Sequence, residues 1–320
     1  MTRKRLVRIG TGVLAGILLA MLGYYVAGRI RQAHIGEPDP LVGEDDEHSK
    51  NDQEPPPPRP TYKALPRERL RYDVTSWLGK SGEFAIAVGP LRKHEDGRAT
   101  YRVTCDLATS KAVSSVYVLQ GQLTAVLDAE TLLPLEFEER VNSGLAITSD
   151  IKHKKLVYDQ DAHVVRAYED EGGGLELRDE PREVPADAHH YLSMPYFIRH
   201  LALRPGASFD LVLSGRKRDA VAALSVLREE DLALPSGRTR PALVAELTCD
   251  VDKKLMKGAR FVVWLDQAEH YPLRIDAYLS LGTITATLAE RVVGAAASGR
   301  AGSGPGGQPE PAAPRDASGP

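Results

Sequence analysis

Between residues 67 and 292 apolar and polar side chains alternate, and a period of two marks strands with one buried face. Leu70, Tyr72 and Val74 alternate with Arg71, Asp73 and Thr75. After the turn at Leu78-Gly79-Lys80-Ser81-Gly82, Phe84, Ile86 and Val88 take one face. Tyr101, Val103, Cys105 and Leu107 form a third such face, and Leu243, Ala245, Leu247, Cys249 and Val251 a later one. Leu273, Ile275, Ala277 and Leu279 precede a Leu281-Gly282 turn, and Ile284, Ala286 and Leu288 follow it. The turn spacing predicts roughly ten to thirteen strands. A sheet that large must curl or fold over to cover its apolar face. The expected fold is therefore mainly β: one large curved antiparallel sheet, open-barrel or sandwich-like.

One stretch breaks the period. From Asp187 to Leu203 the apolar residues fall at Tyr191, Leu192, Met194, Phe197, Ile198 and Leu201, nearer helical spacing. Asp187 is a candidate N-cap. Pro195 can only open a second helix, after Ser193 or Met194. The pattern predicts one or two short helices near 188–202, packed across the concave face or the open end of the sheet and stopped by Arg204-Pro205-Gly206.

The ends have a different character. Ile9 to Gly28 is an uncharged 20-residue run, and at 1.5 Å per residue it spans roughly 30 Å, the thickness of a hydrocarbon core. Arg3, Lys4, Arg5 and Arg8 precede it and Arg29 and Arg31 follow. The basic excess before the run keeps residues 1–8 in the cytoplasm and sends the body across. The expectation is a single-pass inner-membrane anchor with the body in the periplasm. The alternative is a signal peptide cut after Val26-Ala27-Gly28, which releases the body to the periplasm. Residues 29–66 read as a tether: eight acids between Glu37 and Glu54 oppose Lys50 alone, and Glu54-Pro55-Pro56-Pro57-Pro58-Arg59-Pro60 favours extended polyproline II. The β domain is placed at 67–292. Residues 293–320 read as a low-complexity tail, since 21 of the 26 residues from 295 on are Gly, Pro, Ala or Ser.

Several segments of the body resemble the bacterial exported domain-of-unknown-function family 3108 (DUF3108). Tyr72-Asp73-Val74-Thr75-Ser76-Trp77-Leu78-Gly79 is similar to its opening hairpin, and Leu127 to Glu139 to its central D-x-x-T-L-L-P-L-x-F-E turn and strand. Tyr196-Phe197-Ile198-Arg199 and Leu203-Arg204-Pro205-Gly206 are similar to its helix, arginine and following turn. Trp264-Leu265-Asp266, Pro272-Leu273-Arg274-Ile275 and Leu281-Gly282 are similar to its closing strands. The ordered set covers about 67–291. The chain departs from the pattern over Asp266 to Tyr271, where the family turn carries more acid and a basic residue before the proline. The resemblance implies a curved, mostly β domain of the cell envelope and implies no activity.

The chemistry searched for is mostly missing. The chain carries 41 Lys+Arg against 44 Asp+Glu, so it has no general basic face for nucleic acid. Gly79-Lys80-Ser81 lacks the earlier glycine of a phosphate-binding loop, because Val74 stands there, so no nucleotide site is expected. There is no Gly-x-Ser-x-Gly and no His-Glu-x-x-His. His189-His190 is the only adjacent histidine pair. On a helix such neighbours diverge by about 100° and do not share a metal well, so they are read as exposed residues of a helix start. Glu136 and Glu138 are read as a solvated strand face. Lys152, His153, Lys154 and Lys155, and Arg216, Lys217 and Arg218, are read as wet edges that can also touch phospholipid head groups. Cys105 and Cys249 both sit on apolar strand phases. In an exported domain they form either a bridge or two separate buried thiols.

No enzyme, cofactor or metal site is therefore expected, and two other classes stay open. Trp77 and Trp264 occupy the strand phase opposite their most apolar neighbours. Either the sheet is covered on both sides there, or these rings line a groove. With Tyr191, Met194, Tyr196 and Phe197 they make a candidate pocket for an apolar or amphiphilic, lipid-like ligand. The alternative is a structural or assembly protein of the envelope that acts through protein contacts. In either case the tail carries too few large apolar side chains to pack. Deleting 295–320 should shift the thermal midpoint by less than about 3 °C, the equivalent of roughly 1 kcal/mol in a domain of this size.

Overall fold

The computed structural model describes residues 65, 67–170, 172–216, 219–249, 260–279 and 282–294. The anchor expected at 9–28, the tail from 295 and the tether before Leu65 lie outside these residues. Among the described residues no helix is long and apolar enough to cross a membrane.

The strands are β1 (Glu68–Ser76), β2 (Gly79–Val88), β3 (Arg92–Lys93), β4 (Ala99–Thr109), β5 (Tyr117–Asp128), β6 (Pro134–Leu145), β7 (Asp150–Asp159), β8 (Val164–Asp170), β9 (Leu175–Leu177), β10 (Arg182–Glu183), β11 (Ser208–Ser214), β12 (Asp219–Ala233), β13 (Thr239–Cys249), β14 (Arg260–Asp266), β15 (Pro272–Leu279) and β16 (Gly282–Val293). Two short helices interrupt them, α1 (Lys111–Ser114) and α2 (Met194–Ile198). The sixteen described strands exceed the expected number because β3, β9 and β10 have only two or three residues and carry no readable alternation.

All pair antiparallel in one sheet, in the order β10-β8-β7-β6-β5-β4-β2-β1-β16-β15-β14-β13-β12-β11, with β3 on β4 and β9 on β8. The first and last strands of the body therefore meet in mid-sheet, where Glu68 faces Val293. Val293 extends β16 one residue past the expected domain end. Leu65, placed in the tether by its sequence, is buried in the core.

The sheet is open but curls until its edges meet. Arg182 on β10 reaches Asp219 on β12 at 2.7 and 2.8 Å and the carbonyl of Gly215 at 2.8 Å. Arg216 reaches Glu169 on β8 at 2.6 Å. The chain leaving β10 then runs along β11, where the His189 amide donates to Val212 and the Ser214 amide donates back to His189, at 2.8 and 2.7 Å. Side chains and one short parallel bridge close the seam in place of a strand ladder.

The inward residues form one core, and the connection from β10 to β11 passes through it. Ala188, His189, His190, Leu192, Ser193, Met194, Tyr196 and Ile198 are all buried. The seam holds this segment, and the curled sheet wraps it. The expected helical stretch is thus one five-residue helix. Asp187 does not cap it: Ser193 stands at the N-cap, and its hydroxyl accepts from the His190 amide and donates to the His190 carbonyl, both at 2.9 Å. The two histidines are core residues, contrary to the exposed helix start expected of them. His190 stacks on Phe137 at 3.7 Å, and His189 lies 4.1 Å from Phe197.

On the outer face the predicted clusters pair with one another. Lys155 pairs with Glu136 at 3.0 Å and His153 with Glu138 at 2.7 Å, across adjacent strands. Glu139 points the other way, into the core. Burial pushes its carboxyl above the ordinary range, against the pull of Lys154 and Lys152.

The buried segment 188–198, which plugs the curled sheet, and its seam can both be tested. Burial holds His189 at about 4 and pushes His190 down as well. Unfolding lets both imidazoles take protons below their ordinary value near 6.5, so the unfolded state binds more protons between that pH and about 4. Their stabilising contribution is complete above pH 6.5 and is lost as pH falls, by up to about 1.4 kcal/mol per pH unit for each. Glu139 acts in the opposite sense, since its carboxyl binds a proton more readily folded than unfolded. The His189 and His190 ring-proton NMR shifts should stay constant from pH 7.5 to 5, and a midpoint near 6.5 for either would contradict their burial. Separately, Arg182→Ala should cost about 1–2 kcal/mol in urea unfolding, less than fully buried charged hydrogen bonds would, because the pair is partly wet. It should also speed hydrogen exchange at the His189 and Ser214 amides.

Candidate functional site

Pro195 fits the first turn of α2, where its missing amide proton is not needed. The helix lies against the inner faces of β1, β2 and β12 to β15, and the packing there is incomplete. An apolar slot separates it from Leu70, Tyr72, Leu224, Phe261, Val263 and Ile275. Tyr191 and four residues from Met194 to Ile198 supply its helical wall, and Arg199 ends it. Its empty space is about 840 Å³ counted out through the open mouth, whereas the space that admits the centre of a water molecule is about 70 Å³. The smaller figure governs what enters without side-chain movement, and it is several times what one water needs. The slot suits a thin apolar group.

Its polar end is made by charges buried deep in the sheet. Glu68 is on the apolar phase of β1, one turn of alternation before Leu70 and Tyr72, and its side chain is 0% exposed. Arg199, 8% exposed, reaches it through Nη1 at 2.5 Å, and Arg291 on β16 reaches its other oxygen at 3.2 Å. Arg291 also pairs with Glu269 and lies 4.1 Å over the Tyr271 ring. Arg199 sits 4.9 Å over the Tyr196 ring. Burial pushes the Tyr72 and Tyr196 hydroxyls above the ordinary phenol range, so both stay protonated. Tyr72 donates to the Pro272 carbonyl at 2.7 Å. Tyr196 Oη and Arg199 Nε and Nη2 are buried with no hydrogen-bond partner.

The closing turn fixes this end. Asp266 Oδ1 accepts from the amides of Ala268 and Glu269 at 3.1 and 3.0 Å, and His270 takes the left-handed conformation at φ 57°. His270 Nδ1 donates to the Arg199 carbonyl at 3.3 Å, which ties the turn to the end of α2. The departure from the family pattern at 266–271 thus falls where the turn meets the helix.

Of the six aromatic and Met residues predicted as a pocket, Tyr191, Met194 and Tyr196 line the slot. Phe197 turns away and packs on His189. Trp264 is on the outer face, buried there between Glu230, whose carboxylate accepts from Nε1 at 2.5 Å, and Arg274, 4.8 Å over its ring. Trp77 is 61% exposed at the tip of the first hairpin. Of the two readings of these tryptophans, local cover of the outer face explains Trp264, and neither explains Trp77. Glu68 and Arg199 were not predicted as site residues. A carboxylate on the apolar phase of a strand was the available signal, because a buried charge needs a partner.

Cys105 is a free buried thiol, and desolvation pushes it well above the ordinary thiol range, which suits packing and not nucleophilic work. The Cys249 side chain lies outside the described residues. Among the described residues no three His, Cys, Asp or Glu side chains gather as metal ligands.

No curated protein matches the sequence. Among solved structures, a β-barrel-like protein of the domain of unknown function DUF1849 from Brucella abortus is similar in fold, with TM-score 0.51 and 9% identity, covering 72% of this chain and 99% of that one. A protein with a YmcC-like fold from Bacteroides fragilis aligns over 73% of this chain and 99% of its own at 10% identity, but its TM-score of 0.29 is too low to establish a shared fold. The family model for the protein of unknown function DUF3108 matches residues 71–289, from the opening hairpin through the closing strands, and the chain belongs to that family.

Proposed function

We propose that this chain is a non-enzymatic, membrane-anchored β domain of the periplasmic cell envelope whose curled sheet holds an apolar or amphiphilic, lipid-like ligand. The observation that carries this reading is the slot between α2 and the inner sheet face, apolar along its walls and only partly enclosed. Cores are normally filled to crystal-like density, and a continuous apolar gap costs stability unless something occupies it. The uncharged run at 9–28 supports the anchor, and the basic residues before it support the orientation. The absence of hydrolase and zinc-protease motifs and the inert Cys105 thiol support a binding role over a catalytic one.

The competing reading, an envelope scaffold, draws on adjacent exposed Trp77 and Leu78 at a hairpin tip, 61% and 54% accessible. Rings so placed can meet a protein partner without any ligand. Native mass spectrometry of the full chain, purified from its membrane in mild detergent, separates the two. The expected result is one lipid-sized adduct per chain that heating removes. A bare chain mass across several gentle detergents would favour the scaffold.

A further inference from the structure

We infer that Arg199 is the head-group anchor of the slot, and that its ligand is a single-chain amphiphile with an anionic carboxylate or phosphate head. The inference rests on the reading of the slot as a ligand site and names what enters it.

A guanidinium offers five N–H donors in a planar fork and cannot lose its charge. In Arg199 one corner, Nη1, is spent on Glu68 at 2.5 Å. The unpaired atoms are Nε and Nη2. These two form the side edge of the fork, whose parallel N–H bonds match the two oxygens of a carboxylate or phosphate. The side chain is 8% exposed, so water does little to satisfy that edge. Tyr196 Oη, buried and also without a partner, belongs to the same slot and supplies a neutral donor. Three donor atoms lack a partner at this end and only one of them, the Tyr196 hydroxyl, can also accept, so the balance favours an anion. Glu68 and Glu269 together balance Arg199 and Arg291, so what draws an anionic head is the unmet N–H edge of Arg199 and not a net positive charge.

The rest of the slot decides what the anion is attached to. Leu224, Phe261, Val263 and Ile275 offer no polar atom to a sugar or a peptide, and the narrow space favours one alkyl chain over two. A free inorganic anion would leave those walls uncovered.

The test uses the full chain in a neutral maltoside and four probes: decanoate, decyl phosphate, decanol and inorganic phosphate, with binding followed by native mass spectrometry. Decanoate, decyl phosphate or both should bind at least tenfold more tightly than decanol, about 1.4 kcal/mol. The favoured anion identifies the head as carboxylate or phosphate. Tyr196→Phe, which leaves the ion pair intact, should weaken the anions several-fold and leave decanol unchanged. In the double variant Arg199→Met with Glu68→Gln both charges leave together, and Arg291 keeps Glu269. It should bind decanol as before and lose the preference for anions. Equal binding of decanol and the two anions would overturn the head-group assignment while leaving the slot as an apolar site. So would a preference that survives in the double variant, or inorganic phosphate binding as tightly as decyl phosphate. Failure of every chain-bearing probe would overturn the ligand-site reading itself, and this inference with it.

Discussion

A single large sheet with one apolar face has to bury that face, and among the described residues it is chiefly the connection from β10 to β11 that fills the inside of the curl. No second sheet packs against it among the described strands. The sheet therefore curls around residues 188–198, and everything else depends on how that segment is held. Its backbone bonds to β11, its histidines pack on Phe137 and Phe197, and the residue that follows it, Arg199, is tied to Glu68 and to the closing turn. Burial of two uncharged imidazoles and an ion pair in such a place costs free energy that an all-apolar plug would avoid. The plug is thus fixed by directional contacts, while the space beside α2 is left incompletely filled.

The hairpins that frame this arrangement come as a pair. Leu127-Asp128 to Pro134-Leu135 and Leu265-Asp266 to Pro272-Leu273 have the same spacing. Asp128 accepts from the amides of Glu130 and Thr131 as Asp266 does from Ala268 and Glu269, and Leu132 and His270 share the left-handed conformation. Each pairing shifts register one residue before the turn, between Val126 and Leu127 and between Trp264 and Leu265. Each proline carbonyl accepts one buried side-chain bond, from Gln160 in the first and Tyr72 in the second. An aspartate that satisfies two turn amides, followed by a strained residue and a proline, is a local solution for turning one wide strand back on itself. It recurs on both arms of the sheet, at Asp128 and Asp266.

Most of the fold was legible because alternation is a local property. The inward residues of β1, β2, β4, β13, β15 and β16 are those that the period of two selects. The strand order was not, since pairing β1 with β16 depends on curvature that no local pattern encodes. The helical segment was legible as an exception to the period, but its cap was not. Asp187 looks like a cap by type, whereas Ser193 takes the position because Pro195 dictates where α2 can begin. Aromatic content misled at Trp77, Phe197 and Trp264: ring type says that a residue buries area somewhere, and only the strand and helix phases say on which side. Tyr191 and Met194 were found as members of the helically spaced set, which also held Phe197, whereas Tyr196 entered as an aromatic of the same segment.

Glu68 and Arg199 show the reverse case, residues whose types argue for the surface and whose positions put them inside. Their partners are 131 and 223 residues away along the chain, for Glu68 with Arg199 and Arg291. A pair of that kind adds little net stability over well-packed apolar residues, and removal of one member costs about 3–5 kcal/mol because the other is left buried and alone. Such a device does not explain itself by stability. What it does is hold a guanidinium rigidly, one corner bound and one edge open, at the end of an apolar slot. The carboxylate that orients the fork is itself held by Arg291 and Arg199 together, so the open edge is fixed by the meeting of β1, β16 and the end of α2, with the closing turn holding the Arg199 carbonyl. The part of this fold that is most expensive to bury is thereby also the part that is most precisely aimed.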